Sequence, residues 1–380
     1  MRRVARLRVI AAVSSAVAVF GWAEATARPV AAAGSWRVVS TPNVAGSNYN
    51  ELDATQLTSP TEAWAVGFAR VGFPAPFRAL AEHWNGTAWT LAATAALPGA
   101  DDTRLHGLGG TGPGDVWAVG SDTTPGGSQG TLIEHWNGSA WSRLPSPAGE
   151  AAGAELLSVS AINASDVWAV GDARPNGSFT TLVEHWDGRA WRLVADAGLP
   201  ATGFNHLTAV AAVSARDVWA VGRLYRHPNP VIEHWDGTAW TEVTQPAHGY
   251  DSALQSLAVV SASDIWAVGG TDVTNSLVDH WNGTAWSIVA SPNSTAQNAQ
   301  SFLAGVAALG PSNVWAVGSA SVFGSPQTLT EHWDGTGWSI VPSPPAGGGN
   351  LAAVAGGPAG PLFAVGAVPG STYTTLILKQ

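Results

Sequence analysis

A chain of 380 residues with 20 tryptophans, 44 glycines and no cysteine can bury a large core, and it excludes disulfides, thiolate metal sites and cysteine nucleophiles. Its formal charge of −10 argues against a phosphate-backbone ligand, which asks for stripes of lysine and arginine, so no nucleic-acid partner is expected. The first element is a leader rather than part of a fold. Arg2, Arg3, Arg6 and Arg8 precede an uncharged run over 9–23, and Ala25-Thr26-Ala27 offers a small-x-small site. This order predicts a secretory signal peptide over 1–27, with Ala31-Ala32-Ala33 as a second cleavage site as late as 33. The run is shorter than the roughly 20 residues of a spanning helix. The expectation is therefore a secreted, extracellular protein with no membrane span. Loss of the four arginines and Glu24 takes the formal charge from −10 to −13.

Beyond the leader one pattern recurs. It is clearest where Asp217-Val218-Trp219-Ala220-Val221-Gly222 is followed, after a variable insert, by Glu233-His234-Trp235-Asp236-Gly237-Thr238-Ala239-Trp240. The aromatic residue before Ala-Val-Gly falls at Trp64, Trp117, Trp168, Trp219, Trp266, Trp315 and Phe363, at spacings of 53, 51, 51, 47, 49 and 48. A period of about 40–50 residues with strand-like content is the signature of radial β repeats. Each copy holds four short strand candidates, in the third copy 156–162, 166–171, 181–186 and a last one from Ala190-Trp191. Between the third and fourth strands stand Asn85-Gly86, Asn137-Gly138, Asp187-Gly188, Asp236-Gly237, Asn282-Gly283 and Asn/Asp kin Asp334-Gly335. These predict two-residue type I′ hairpins. Asp fills the slot as often as Asn, so the three Asn-x-Ser/Thr acceptor sequences there are read as turns.

The final copy stops after three strands, while Trp36-Arg37-Val38-Val39 near the start matches the fourth strand at Trp338-Ser339-Ile340-Val341. The predicted fold is all-β: a single seven-bladed β-propeller over 35–380, four antiparallel strands per blade. The N-terminal strand is expected to complete the last blade and close the ring, removing two sheet edges.

The order strand, Ala-Val-Gly, loop, strand, Trp-Asp-Gly, Trp and a trailing Pro resembles the kelch motif. The run "DVWAVG … EHWDGTAW" is also similar to tectonin-type and Asp-box-type repeats of secreted bacterial propellers. The resemblance spans 36–380. It departs from kelch in offering a double glycine only at Gly269-Gly270, and from the Asp box by one residue in the spacing from Asp236 to Trp240. What it implies is architecture, without a family-specific active site.

Six copies carry an acid and a histidine side by side, as in Glu134-His135. Neighbours on a strand point to opposite faces, and six equal copies make a poor design for one asymmetric active site. They are read as a structural Asp/His/Trp network repeated in each blade: Asp115, His135 and Trp117; Asp166, His185 and Trp168; Asp217, His234 and Trp219. The three tryptophans per copy are read as blade-to-blade packing. Function is expected where the repeat breaks, in the variable loops joining fourth to first and second to third strands, which share one face. The candidate binding residues there are Tyr49, Phe77, Arg78, Arg104, His106, Phe204, His206, Tyr225, Arg226, His227, His248 and Tyr250, together with Phe73 and Phe302. The innermost strands read as small and apolar, so no polar site is expected deep in the central channel.

The leading expectation is a non-enzymatic binding or scaffold propeller, a monomer without cofactor or metal, that takes a carbohydrate, a protein or another surface macromolecule on its loop face. The alternative is a propeller glycoside hydrolase of sialidase-like type, or a polysaccharide lyase. For either enzyme the loop acids Asp101, Asp102, Glu150 and Asp251 are the candidate catalytic residues, because such chemistry needs paired carboxylates beside the substrate.

Overall fold

The computed structural model describes residues 35–380, apart from 96–100, 149–152, 176, 200–204, 225–228, 250–251, 272–274, 294–299, 323–324 and 358. These residues form seven four-stranded antiparallel sheets arranged as the blades of a ring, with no helix among the described residues. In blade two the strands Asp102–Gly112, Asp115–Thr123, Gln129–Trp136 and Trp141–Arg143 run in order from the central channel to the rim. Blade seven is made from both ends of the chain. Arg37–Val39 pairs with Thr374–Lys379, with Val38 opposite Leu378, and supplies the fourth strand as expected.

The apolar code builds seven small cores instead of one large one. Successive side chains of a strand alternate between its two faces, and the second strand of each blade is buried on both. Trp117 and Val119 pack against Leu156 and Val167 of blade three, while Val116 and Ala118 pack back against Trp64 and Val66 of blade one. Each of the seven clusters spans two neighbouring blades in this way. The tryptophans link them. Trp64 meets Trp136 and Trp141 of the next blade with ring centroids 4.8 and 5.1 Å apart, and Trp117 meets Trp186 and Trp191 at 5.4 and 5.5 Å. Such pairs contribute roughly 0.5–1.5 kcal/mol beyond their buried area.

The glycine of Ala-Val-Gly shapes the channel. In blade two a Cβ on Gly120 would lie 1.9 Å from the carbonyl oxygen of Arg104, so only glycine fits. Beside it the innermost strand bulges: Leu105 pairs with Gly120, Gly107 pairs with Val119, and His106 is the extra residue between them. The same irregularity recurs in all seven blades. It puts one residue per blade on the channel wall: Asp53, His106, Leu157, Thr208, Gln255, Ala304 and Ala352.

The hairpins on the opposite face differ from expectation. Trp136 pairs with Trp141, so the connection is the four residues 137–140 and not a two-residue type I′ turn. The Asn137 side-chain oxygen accepts from the backbone N–H of Ser139 and Ala140 (3.0 and 3.1 Å) and from the Ser139 hydroxyl. Gly138 follows at φ +92°. What the slot needs is an acceptor oxygen, which explains why Asp236 replaces Asn there with the same partners.

Candidate functional site

The motif residues divide between two kinds of structural work. His135 pairs with Asp115 at 2.8 Å, and the Trp117 indole donates to the same carboxylate at 3.0 Å. His185 with Asp166 and His234 with Asp217 repeat the pair, and Trp219 donates to Asp217. In blade three the Trp168 indole finds no acceptor among the described residues, so there the network is only the Asp166–His185 pair with the histidine stacked on the indole at 4.2 Å. The neighbouring acid points the other way, into the joint between blades. Glu184 accepts from Ser146 of blade two, Glu331 from Ser291 of blade five, and Glu82 from Thr41. Burial raises Glu82, Glu134, Glu184 and Glu331 to about 7. Burial, with the Asp196 charge adding to it, raises Glu233 to about 8. Blade seven has Leu378 at the matching position, packed in an apolar cluster.

The seven innermost strands enclose a channel of about 690 Å³, and the repeat breaks at its loop-face end. His106 and Asp53, on neighbouring innermost strands, pair at 2.8 Å. Burial lowers the imidazole's proton affinity, but the Asp53 hydrogen bond and charge, with Glu155 behind them, outweigh it and leave the pKa raised. A polar pair thus sits in the channel wall, contrary to the expectation from the small, apolar strands. The reason is the bulge, which turns His106 and Asp53 inward at positions that periodicity alone assigns to no face. Above them Glu51 accepts from the Tyr49 hydroxyl. Burial raises the Glu51 carboxyl, and Asp53 adds to this, while the Tyr49 hydrogen bond, His106 and Arg104 oppose it.

Aromatic rings flank this cluster. Tyr49 stacks on Tyr373 at 4.5 Å and on Phe68 at 5.8 Å, and meets Phe77 edge-on at 5.2 Å. Arg104 lies over Phe77 and Phe68, 4.3 and 5.1 Å from their centroids, with its fork on Asp102 at 2.9 and 3.3 Å. Arg70 lies over Phe77 at 4.6 Å, Phe73 at 5.7 Å and Tyr49 at 5.9 Å. A second group stands beside it in blades three and four. His206 pairs with buried Asp172 at 2.6 Å and touches Phe179, which Arg174 covers at 3.7 Å.

Of the residues named from sequence, Tyr49, Phe77, Arg104 and His106 come together at the mouth, and His206 belongs to the adjoining group. Arg78 is exposed at the start of strand Arg78–Trp84. His248 is corrected: its side chain is 0% exposed and bound to Asp279 at 2.9 Å, because Asp279, shorter than glutamate, is reached by a longer donor from the preceding blade. Asp102 is bound by Arg104, and Asp101 is exposed beside it. Phe204, Tyr225, Arg226, His227, Tyr250, Glu150 and Asp251 lie outside the described residues. Sequence reasoning missed Glu51, Asp53, Phe68, Arg70, Glu155, Asp172 and Tyr373. A blade-by-blade alignment on the glycine would have flagged Asp53, Phe68 and Asp172, which differ from the residues at the same position in the other copies, but not Glu51 and Glu155, or Arg70, which shares its position with Arg174. Among the described residues no group of three or more histidines and acids is placed to hold a metal ion.

The architecture defines the chain as a seven-bladed β-propeller of four-stranded blades. No protein-family model and no curated protein matches it. Solved structures do. It is similar to YCF48 bound to a D1 peptide, with a TM-score of 0.58, 14% identity, and 92% of this chain and 96% of that one covered. YCF48 from Cyanidioschyzon merolae gives 0.56 at 15% identity, covering 91% and 98%. The U3-55K structure gives 0.59 at 11% identity, covering 92% and 98%. Identities this low establish the fold alone.

Proposed function

We propose that this chain is an exported, non-enzymatic recognition propeller of the kelch- or tectonin-like kind, whose ligand is a peptide or protein segment held at the loop-face mouth. One observation carries the reading. Six blades repeat the same turns, joints and indoles, while among the described residues Tyr49, Phe77, Arg104, His106 and Asp53 gather at the mouth into an asymmetric mixed polar and aromatic surface. Rigid scaffolds with one variable face are the usual home of binding residues. The YCF48 structure with its D1 peptide is consistent with a propeller of this shape taking a peptide.

A carbohydrate ligand, also expected from sequence, favours an open aromatic face on which a sugar ring can lie. Here Tyr49 is stacked on Phe68 and Tyr373, and Phe77 is covered by two guanidinium groups, which suits side chains better. The hydrolase alternative needs two unengaged carboxylates facing one substrate. Asp102 is engaged by Arg104, and the Tyr49 phenol is pushed up by burial and then by Glu51, so it stays protonated and serves as a donor.

The test is a displayed random-peptide library selected on the intact protein. Selected peptides should lose at least tenfold in affinity on a Tyr49→Ala/Arg104→Ala double variant and none on Arg189→Ala, an exposed change on the turn face. Equal binding to both variants, or no selectable peptide, would overturn the reading.

A further inference from the structure

Several of the described arginines are held by a carboxylate. Arg104 is held by Asp102, Arg143 by Asp122 at 2.6 Å and Arg192 by Asp187 at 2.8 Å. Arg70 is placed differently. It ends the second strand of blade one, Glu62–Arg70, and lies among the rings of Phe77, Phe73 and Tyr49. No carboxylate pairs with it among the described residues, and its Nε is buried without an acceptor.

An arginine held flat on aromatic rings keeps its charge and its planar fork of donors but gains no anion from the rings. The protein as a whole is acidic, so such a cation is not a general anion trap, and its field acts at short range. Beside it Phe73 is 83% exposed and Val71 53% exposed, two apolar side chains turned to solvent at the tip of the same loop. A cation with an uncommitted fork next to an apolar shelf matches a carboxylate followed by a bulky apolar side chain.

We infer that Arg70 is the receptor for an acidic side chain of the bound peptide, with Phe73 and Val71 taking the apolar residue next to it. This rests on the peptide-recognition reading and names the ligand's chemistry. A guanidinium–carboxylate pair is the strong, geometrically selective kind of hydrogen bond, with two parallel N–H···O contacts. Phe73 and Val71 then lose exposed apolar area on binding.

The experiment uses the intact protein and three N-acetylated octapeptide pools, with binding read by fluorescence anisotropy. One pool has Glu-Leu fixed at its centre and an amidated end. The second has Gln-Leu with the same end, and the third has Gln-Leu with a free C-terminal carboxylate. The Glu-Leu pool should bind about tenfold more tightly than either Gln-Leu pool, a typical worth for one charge-assisted pair. Arg70→Gln should abolish that preference, Arg70→Lys should keep part of it, and Phe73→Ala should weaken the Glu-Leu pool without changing the Glu-to-Gln ratio. Unchanged tryptophan fluorescence in each variant shows that the blades remain packed. A preference that survives Arg70→Gln overturns the inference, as does equal binding of the amidated Glu and Gln pools. So does a preference for the free-carboxylate pool, which would move the anion to a chain terminus. If the pools bind and depend on Tyr49 and Arg104 but ignore the carboxylate, only this inference fails. If none binds, the recognition reading fails with it.

Discussion

The two faces of the ring are built on opposite principles. On the turn face, third and fourth strands are joined by one device used again and again: an acceptor oxygen from Asn137, Asp236 or their equivalents, a glycine at positive φ, and an indole N–H, as in Trp136, donating to the carbonyl of Pro113 in the neighbouring turn. On the loop face the backbone device is just as regular, since every blade carries the same glycine-backed bulge, but what it displays is not. Blades one to four place Asp53, His106, Leu157 and Thr208 on the wall, and blades five to seven place Gln255, Ala304 and Ala352. The two charged wall positions, Asp53 and His106, fall side by side in blades one and two, and the other five wall positions are uncharged. The lesson is that a repeated backbone irregularity acts as seven equivalent display positions, and function is written by filling them unequally.

The comparison can be broken most severely at the bulge. Gly120→Ala would drive a Cβ to 1.9 Å from a carbonyl oxygen that belongs to the strand it pairs with. We expect a loss of about 3 kcal/mol or more in urea denaturation, near the upper end of single-site effects. The same change at Gly138 on the turn face meets only left-handed strain, with the Gly114 Cα at 3.3 Å, and should cost about 1–2 kcal/mol. Equal costs at both sites would mean the bulge is dispensable.

The joints between blades carry the next effect, and it depends on pH. Glu82, Glu134, Glu184 and Glu331 are raised to about 7 and Glu233 to about 8 by burial, so the folded state holds protons that the unfolded chain releases near the ordinary glutamate value of 4.5. Their contribution is fully present below about 4.5 and is lost as pH rises through 7 to 8. Between those limits stability falls with rising pH, because the folded state binds more protons than the unfolded chain. Thermal or urea midpoints should therefore fall from pH 5 to pH 8. Glu331→Leu copies the solution blade seven already uses at Leu378, where Ser343 turns back to Thr328 at 2.6 Å. That variant should show a visibly flatter pH profile, and an unchanged profile would assign the pH dependence elsewhere.

The smallest effect is on the turn face itself. Asn137→Asp keeps the acceptor oxygen and should change stability by less than about 0.5 kcal/mol, as for ordinary surface substitutions. Asn137→Ala removes an oxygen that accepts from two backbone N–H groups and should cost about 1 kcal/mol. If Asp proved as costly as Ala, the account of the turn as an acceptor-oxygen slot would be wrong.

Much of the fold was legible because the signals are short-range. Alternation in Val-Trp-Ala-Val fixes which side chains face which neighbour, and the seven-fold spacing fixes the number of blades. The pairing of Arg37–Val39 with Thr374–Lys379 was readable too, since each end of the chain lacks what the other holds. The hairpin geometry was misread, because an Asn-Gly pair alone does not tell whether the tryptophans on either side pair with each other. The site was legible only in part. Tyr49, Phe77, Arg104 and His106 stood out as non-repeating, but Asp53, Arg70 and Tyr373 did not, being ordinary residue types within strands or at their ends.

What the sequence determined by itself is the blade and its multiplicity, through packing and turn rules that act within about fifty residues. Which side chains meet at the mouth was decided by the tertiary structure. Asp53 reaches His106 across 53 residues, and Tyr49 stacks on Tyr373 from the other end of the chain. Ring closure brings these together, and the bulge turns them inward. Neither the closing distance nor the turn of a bulged residue is written in any local pattern, so the chemistry of the mouth emerges only once the seven blades stand side by side.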